Sequence, residues 1–176
     1  MILIINTSGN GIDLVLGDKF IHMDAEKQAI ALPVAVNDFM TQNNVKMSDL
    51  SAIGVIVGPG SFTGIRMGIA YAKGLGIGLN IPVIPVNLFE LYLYENPDAF
   101  VAIDSGRGDF FVASKIHEPC TMDIDTLETE QMKCPITVGH KPYNLMFAKN
   151  IVENKIANKD FEPAIPMYLR PSYAEK

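Results

Sequence analysis

Between residues 52 and 79 an apolar strand runs into a helix whose surface is cut back, at every fourth position, to almost nothing. Ala52-Ile53-Gly54-Val55-Ile56-Val57 is short, apolar and rich in β-branched residues, the pattern of a strand buried on both faces. Gly58-Pro59-Gly60-Ser61-Phe62-Thr63-Gly64-Ile65-Arg66-Met67-Gly68-Ile69 follows, and small and apolar residues continue to about Leu79 without proline, as a helix allows. Gly64, Gly68, Ala72 and Gly76 recur every four residues and so share one stripe of that helix. Each helical glycine is worse than alanine by roughly 0.8–1 kcal/mol, so three weaken the helix by about 2–3 kcal/mol, which packing must offset. Geometry leaves two readings open: close packing onto the protein's own sheet, or a close helix–helix contact with another chain, by analogy with small-residue interfaces between membrane helices.

The same loop invites a phosphate reading, because backbone N–H groups and the positive dipole end at a helix N-terminus attract anions. Its details argue against a standard site. No Lys-Ser/Thr pair follows the loop, and Gly58-x-Gly60-x-x-Thr63 lacks the third glycine of a dinucleotide fingerprint. Ser61 or Thr63 equally suits the helix N-cap, where a side-chain oxygen satisfies a free N–H. Arg66 is the only cation in the first turns.

With 176 residues, 48% of them apolar, the chain can bury a sizeable core in one large domain or two small lobes. A net charge of −6 disfavours unaided capture of a nucleic-acid backbone, which needs lysine and arginine to neutralise phosphates, so any RNA is expected to be held through a partner. The cysteines, Cys120 and Cys134, have no neighbouring histidine at metal-ligand spacing and form no disulfide framework, which points to a reducing cytoplasm. The apolar start Met1–Ile5 lacks a basic flank and reaches Asn-Thr-Ser within a few residues, as a strand does and a signal peptide does not. The longest apolar region, about 65–86, carries Arg66, Lys73, Pro82 and Pro85, so no membrane span is expected.

Along the chain, residues 2–6 read as a strand, Ser8-Gly9-Asn10-Gly11 as a turn, Ile12–Leu16 as a second strand, and Phe20–Met23, after Gly17-Asp18, as a third. A helix is expected near 30–45 with Pro33 near its start, then the 52–57 strand, the small-residue helix, a short strand at 81–84 and a helix near 87–95. Three meandering strands followed by helix, strand, helix and strand is the order of the ribonuclease-H-like unit of actin-like and sugar-kinase-like proteins, an analogy that speaks to fold more than to function. The first lobe is expected to span 1–99 and the second 100–176. The second opens as Phe100–Asp104, turns through 105–108 and returns as Asp109–Ala113. Residues 117–140 read as polar and irregular, and 143–157, behind Pro142, as a helix.

In actin-like ATPases and kinases a carboxylate at the end of the first strand helps position the metal near the nucleotide. Here that place is Asn6, whose amide accepts hydrogen bonds but lacks the charge that holds a hard divalent cation. Asp104-Ser105-Gly106 is the matching element of the second lobe, and it reads more simply as a hairpin turn. His22, His117 and His140 form no His-x-x-x-His pair, so each is expected to be an ordinary surface or core histidine. Ser61 sits in Gly60-Ser61-Phe62, outside the Gly-x-Ser-x-Gly of a serine hydrolase. Arg107-Gly108-Asp109 spells an adhesion tripeptide by coincidence.

Taken together, Ile5-Asn6-Thr7-Ser8, the Gly58–Arg66 motif, Ile103-Asp104 opening a hairpin and Pro166-Met167-Tyr168-Leu169-Arg170 closely resemble the bacterial TsaB (YeaZ) family. The likeness is strong over about 50–110 and weakest through 115–160, where this chain looks shorter than usual. The resemblance implies a two-lobed actin-like (ASKHA, ribonuclease-H-like) α/β fold with a shortened second lobe. It implies a non-catalytic scaffold or activator of threonylcarbamoyladenosine formation beside the anticodon of tRNA. A TsaD-type subunit would do the catalysis, a TsaE-type ATPase would join the assembly, and ATP and metal would bind those partners rather than this chain. The cytoplasmic setting read from the cysteines and the tRNA contact through a complex read from the charge accord with it, and the glycine, alanine and isoleucine face of the small-residue helix, an apolar patch soluble monomers rarely expose, leads to the expectation of a homodimer when free. It assigns Gly60, Ser61, Phe62, Thr63, Gly64, Arg66, Gly68, Ala72 and Gly76 to partner binding, and no residue to catalysis, cofactor or metal. Asn6 stands where the family's aspartate usually stands. The rivals are an independent actin-like ATPase or small-molecule kinase, disfavoured by Asn6 and the missing phosphate lysine, and a peptidase, for which no metal site or triad is evident.

Overall fold

Strand β1 (Ile2–Asn6) is buried along its whole length. It pairs antiparallel with β2 (Ile12–Leu16), which pairs antiparallel with β3 (Lys19–Met23). Helix α1 (Gln28–Gln42) leads to β4 (Ala52–Ile56), which lies parallel to the other side of β1. After α2 (Phe62–Leu79), β5 (Val83–Val86) adds parallel to β4 and completes a five-stranded sheet of order β3-β2-β1-β4-β5. This computed structural model describes residues 1–131, 137–138 and 143–170. Cys134 and His140 lie outside the described residues.

Period-two alternation sorts the strand side chains between two helical layers. Leu3, Ile5, Ile53 and Val55 share one core with Val36 and Phe39 of α1 and Ile65 and Ile69 of α2. The opposite face meets α5 (Phe147–Ala157): a Cβ on Gly54 would stand 2.8 Å from Val152 Cγ2, so glycine in the middle of β4 lets α5 lie close. A sheet covered on both faces explains why β1 and β4 read as unbroken apolar runs.

The chain divides into two compact units. The first comprises residues 1–87 and 145–166 and the second 88–144 and 167–176, where the sequence suggests one cut at 99/100. The second unit holds α3 (Leu88–Glu95), β6 (Phe100–Asp104), β7 (Asp109–Ser114), β8 (His117–Asp123), α4 (Ile124–Gln131) and β9 (Thr137–Val138). Its sheet runs β8-β7-β6-β9, with β9 parallel to β6. That repeats the β3-β2-β1-β4 order of the first unit.

Most boundaries fall where the sequence places them, and the departures have physical causes. The irregular region expected at 117–140 contains β8 and α4. β8 carries no strand signal because His-Glu-Pro-Cys-Thr-Met-Asp has no apolar run, and as a sheet edge it tolerates Pro119, whose missing N–H costs no ladder bond on the open side. β5 lies two residues beyond the expected 81–84 and carries Pro85, again on an edge strand. Pro33 lies inside α1 rather than in its first turn.

Candidate functional site

The loop between β4 and α2 is held by the turn that follows β1. Ser61 N–H donates to Ser8 O at 2.7 Å, and the Thr7 hydroxyl donates to Gly64 O at 2.7 Å. Gly60 has φ +153°, and a Cβ there would strike the Ser8 carbonyl. Ser61 is the N-cap of α2, its Oγ accepting from Gly64 N at 3.2 Å, so of the two expected capping residues it is serine that serves. Ser61 N and Gly64 N thus have protein acceptors already, which removes two of the donors a phosphate would need here.

The stripe expected to receive a partner packs on its own sheet instead. A Cβ on Gly64 would collide with Thr7 O, one on Gly68 with Thr7 Oγ1, and one on Gly76 with Val83 Cγ2, while Ala72 is fully buried. Gly64, Gly68, Ala72 and Gly76 are therefore answered within the chain. Burying Ile65 and Ile69 on the same side contributes roughly 1.5–3 kcal/mol each, enough to offset the glycine cost.

The other half of the motif faces outward. Gly60, Ser61, Phe62, Thr63 and Arg66 are exposed, and the Arg66 guanidinium lies 3.8 Å from the centre of the Phe62 ring. Further along, Ala70, Gly74 and Gly78 form a second small-residue stripe at four-residue spacing on the exposed side. No neighbouring heavy atom lies within 4 Å of a Cβ built on Gly74 or Gly78. Ile77 is 83% exposed, and the adjoining α1 exposes Ile30 (71%) and Val34 (58%). The sequence showed one stripe because it was anchored on the loop glycines; the second follows the same period, offset by two residues.

Behind the loop lies a polar row that sequence reasoning missed. Asn6, Asp13 and His22 are cross-strand neighbours on β1, β2 and β3. Buried Asn6 accepts from Ser8 N (2.9 Å) and Ser8 Oγ (2.7 Å) and donates through Nδ2 to Asp13 Oδ2 at 2.8 Å. His22 Nδ1 lies 2.6 Å from Asp13 Oδ1, and Nε2 lies 3.3 Å from Asp24 Oδ1. The hydrogen bonds of Asp13 first, and then of Asp24, raise the His22 pKa above its usual 6.5. Hairpin register was the signal that could have found the row: each residue occupies the next strand at the same level.

A cleft of about 440 Å³ beside this row is lined by Asn10, Gly11, Asp24, Ala25, Glu26 and Gln28. Two carboxylates at its rim make it a poor place for phosphate. Gln28 reaches across from α1 to donate to Gly9 O (3.1 Å) and Gly11 O.

In the second unit, Asp104 accepts from Gly106 N at 2.7 Å, which is the turn reading of that segment. Ser105 and Asp109 both receive Arg170, whose guanidinium also faces the Phe111 ring. His117 lies between Ser114 Oγ (3.1 Å) and Glu130 (3.4 Å). The Ser114 Oγ accepts from Ile116 N and His117 N, so it caps the β7–β8 turn. Among the described residues, no three His, Cys, Asp or Glu side chains are grouped to hold a metal, and no helix is long and apolar enough to cross a membrane.

The five-stranded mixed sheet with helices on both faces, and the shorter sheet that repeats its order, define an actin-like, ribonuclease-H-like α/β protein. The YeaZ structure from Pseudomonas aeruginosa superposes with a TM-score of 0.71 over 96% of this chain and 99% of that one, at 19% identity, which bears on the fold. The family model described as TsaD, tRNA N6-adenosine threonylcarbamoyltransferase, matches residues 23–172, and the chain belongs to this family. It is 30% identical over 96 residues to the tRNA threonylcarbamoyladenosine biosynthesis protein TsaB of Haemophilus influenzae, covering 50% of this chain and 40% of that protein. To the Escherichia coli protein of the same description it is 42% identical over 52 residues, covering 30% and 22%. These matches therefore span less than half the length of either relative.

Proposed function

We propose that this chain is a non-catalytic scaffold subunit of the machinery that places a threonylcarbamoyl group on adenosine next to the anticodon of tRNA, acting through a TsaD-type catalytic partner. The family match over residues 23–172 supports the pathway. The scaffold role is carried by one contrast in the first unit. Its polar groups near the loop are engaged in holding the fold, Asn6 with Ser8 and Asp13, Thr7 with Gly64, and Ser61 as a cap. The outer faces of α1 and α2 meanwhile expose Ile30, Val34, Phe62 and Ile77 beside a glycine-lined stripe. Soluble proteins seldom leave such surface uncovered.

The docking surface in this proposal comprises Gly60, Ser61, Phe62, Thr63 and Arg66, joined by Ala70, Gly74 and Ile77, with α1 alongside. A TsaD-type subunit occupies it in the complex. In the free chain a second copy covers it, a two-fold pair being the simplest closed arrangement. A TsaE-type ATPase joins the assembly, ATP and metal bind those partners, tRNA is held through the complex, and the setting is the cytoplasm.

Reconstitution tests this. Adding the chain to a TsaD-type subunit should convert a homodimer to a heteromer in light scattering and restore tRNA modification. Alanine at Ser61, Asp104 or His140 should leave the rate of a fully assembled complex largely intact. A loss of two or more orders of magnitude with assembly unchanged, the size expected for a catalytic acid, base or oxyanion donor, would overturn the scaffold reading. Tight binding and turnover of magnesium-ATP by the isolated chain would favour an independent ATPase or kinase.

A further inference from the structure

Both ring nitrogens of His22 face a carboxylate oxygen, Nδ1 at 2.6 Å from Asp13 and Nε2 at 3.3 Å from Asp24. An ionised carboxylate can only accept, and a neutral imidazole carries one N–H. The neutral ring would turn a lone pair toward one of the two carboxylates, whereas the imidazolium donates to both. Asp13 cannot simply turn away, because its other oxygen receives Asn6 Nδ2 from the buried side. The ring carbon Cε1 borders Gly11, where a Cβ would lie 3.1 Å away.

We propose that His22 is a proton-operated clasp: its imidazolium ties Asp13, and through it the buried Asn6, to Asp24, and loss of the proton releases the connection from β3 into α1. Asp24 begins that connection, residues 24–27, and Gln28 at its end holds the carbonyls of Gly9 and Gly11 in the β1–β2 turn. The charged groups facing the ring are Asp13 on β2 and Asp24 on its own segment. Gly11 in the β1–β2 turn, Asn6 on β1 and Gln28 on α1 contribute no charge, and Glu26 lines the cleft beside Asp24. A histidine whose folded-state pKa is raised contributes fully below the unfolded value and loses the contribution as pH rises through the folded value. The clasp is therefore closed at and below 6.5 and opens above it, consistent with the upward shift that Asp13 and Asp24 impose.

Titration of the full chain by NMR tests the clasp, with the ring nitrogens of His22 and the amides of residues 11–13 and 24–28 as probes. The expected result is a His22 midpoint above 6.5 shared by the amides of the connection. Asp24→Asn, at a fully exposed position, should lower the midpoint without disturbing the sheet. Asp13→Asn should lower it further, and His22→Gln should abolish the shared transition. A midpoint at or below 6.5, a midpoint that Asp24→Asn leaves in place, or a His22 titration that the 24–28 amides do not follow would each overturn the proposal. Asp24→Asn keeps the test decisive even if Asp13→Asn fails to fold.

Discussion

Thr7, in the turn that follows β1, donates its hydroxyl to the carbonyl of Gly64 in the first turn of α2 at 2.7 Å, across 57 residues of sequence. The contact exists only because Gly64 and Gly68 have no side chain, since a Cβ on either would occupy the place of a Thr7 oxygen. One turn after a strand thus fixes the start of the helix that carries the proposed docking face.

Opposite signs are expected from one type of substitution on the two sides of α2. Gly64→Ala drives a methyl into the Thr7 carbonyl and should destabilise by about 1–3 kcal/mol, as overpacking typically does. Gly74→Ala meets no neighbour within 4 Å and should stabilise by up to about 1 kcal/mol through helix propensity. Urea unfolding of both variants measures this. Equal effects would mean that the two stripes do not face opposite surroundings.

Partner binding should respond to the outer face far more than the stability of the monomer does. Ile77→Asp and Gly74→Leu place charge or bulk where the helix is open, so the dissociated monomer should change in stability by no more than about 1 kcal/mol. Both homodimer and heteromer should weaken at least tenfold in sedimentation or light-scattering titrations. Unchanged association would move the interface elsewhere.

Placing a carboxylate at position 6 should make the fold acid-loving. Asn6→Asp puts two carboxylates at the 2.8 Å contact now made by the Asn6 amide and Asp13, so one must take a proton. A carboxyl with a raised folded-state pKa weakens the fold above its unfolded value and recovers stability as pH falls through the raised one. Thermal melts between pH 5 and 8 should therefore show a variant whose deficit relative to the parent shrinks toward pH 5. A pH-independent deficit would mean that the two groups separate.

Asp123 should give the reverse slope. Its carboxylate accepts from the backbone N–H of Thr126 at 2.8 Å, and this bond, followed by that of the Thr126 side chain, lowers its pKa below the usual 3.8. A depressed carboxyl contributes above its unfolded pKa and loses that contribution as pH falls through the folded value. Hydrogen exchange at Thr126 should accelerate below pH 3.8 relative to amides in the α5 helix, and Asp123→Ala should remove the difference.

Arg170 is expected to hold the β6–β7 turn. It donates to Ser105 Oγ at 2.6 Å and to Asp109, while Met167 and Leu169 pack with Phe89, Tyr92 and Val101. Arg170→Ala should raise amide exchange at 105–109 and leave the first unit unchanged. Arg170→Lys should rescue it incompletely, because one ammonium lacks the planar fork of the guanidinium.

The sequence by itself determined the elements whose signals are local. Apolar runs bounded by turn residues gave β1, β2, β4 and β6, and Ser61 marks the start of α2 as its N-cap. It did not reveal β8 or α4, which lack an apolar run or a marked periodicity because they lie at a sheet edge and on a polar surface. Of the nine residues marked for partner binding, four proved to be committed to the chain's own sheet. A four-residue repeat shows that a stripe is small but not what fills it, and that depends on where β1 and β5 lie. Tertiary structure alone decided which stripe of α2 faces out, and that Asn6, Asp13 and His22 stand in one row. Such a row depends on hairpin register, and a shift of one residue would have turned every one of those side chains to the opposite face.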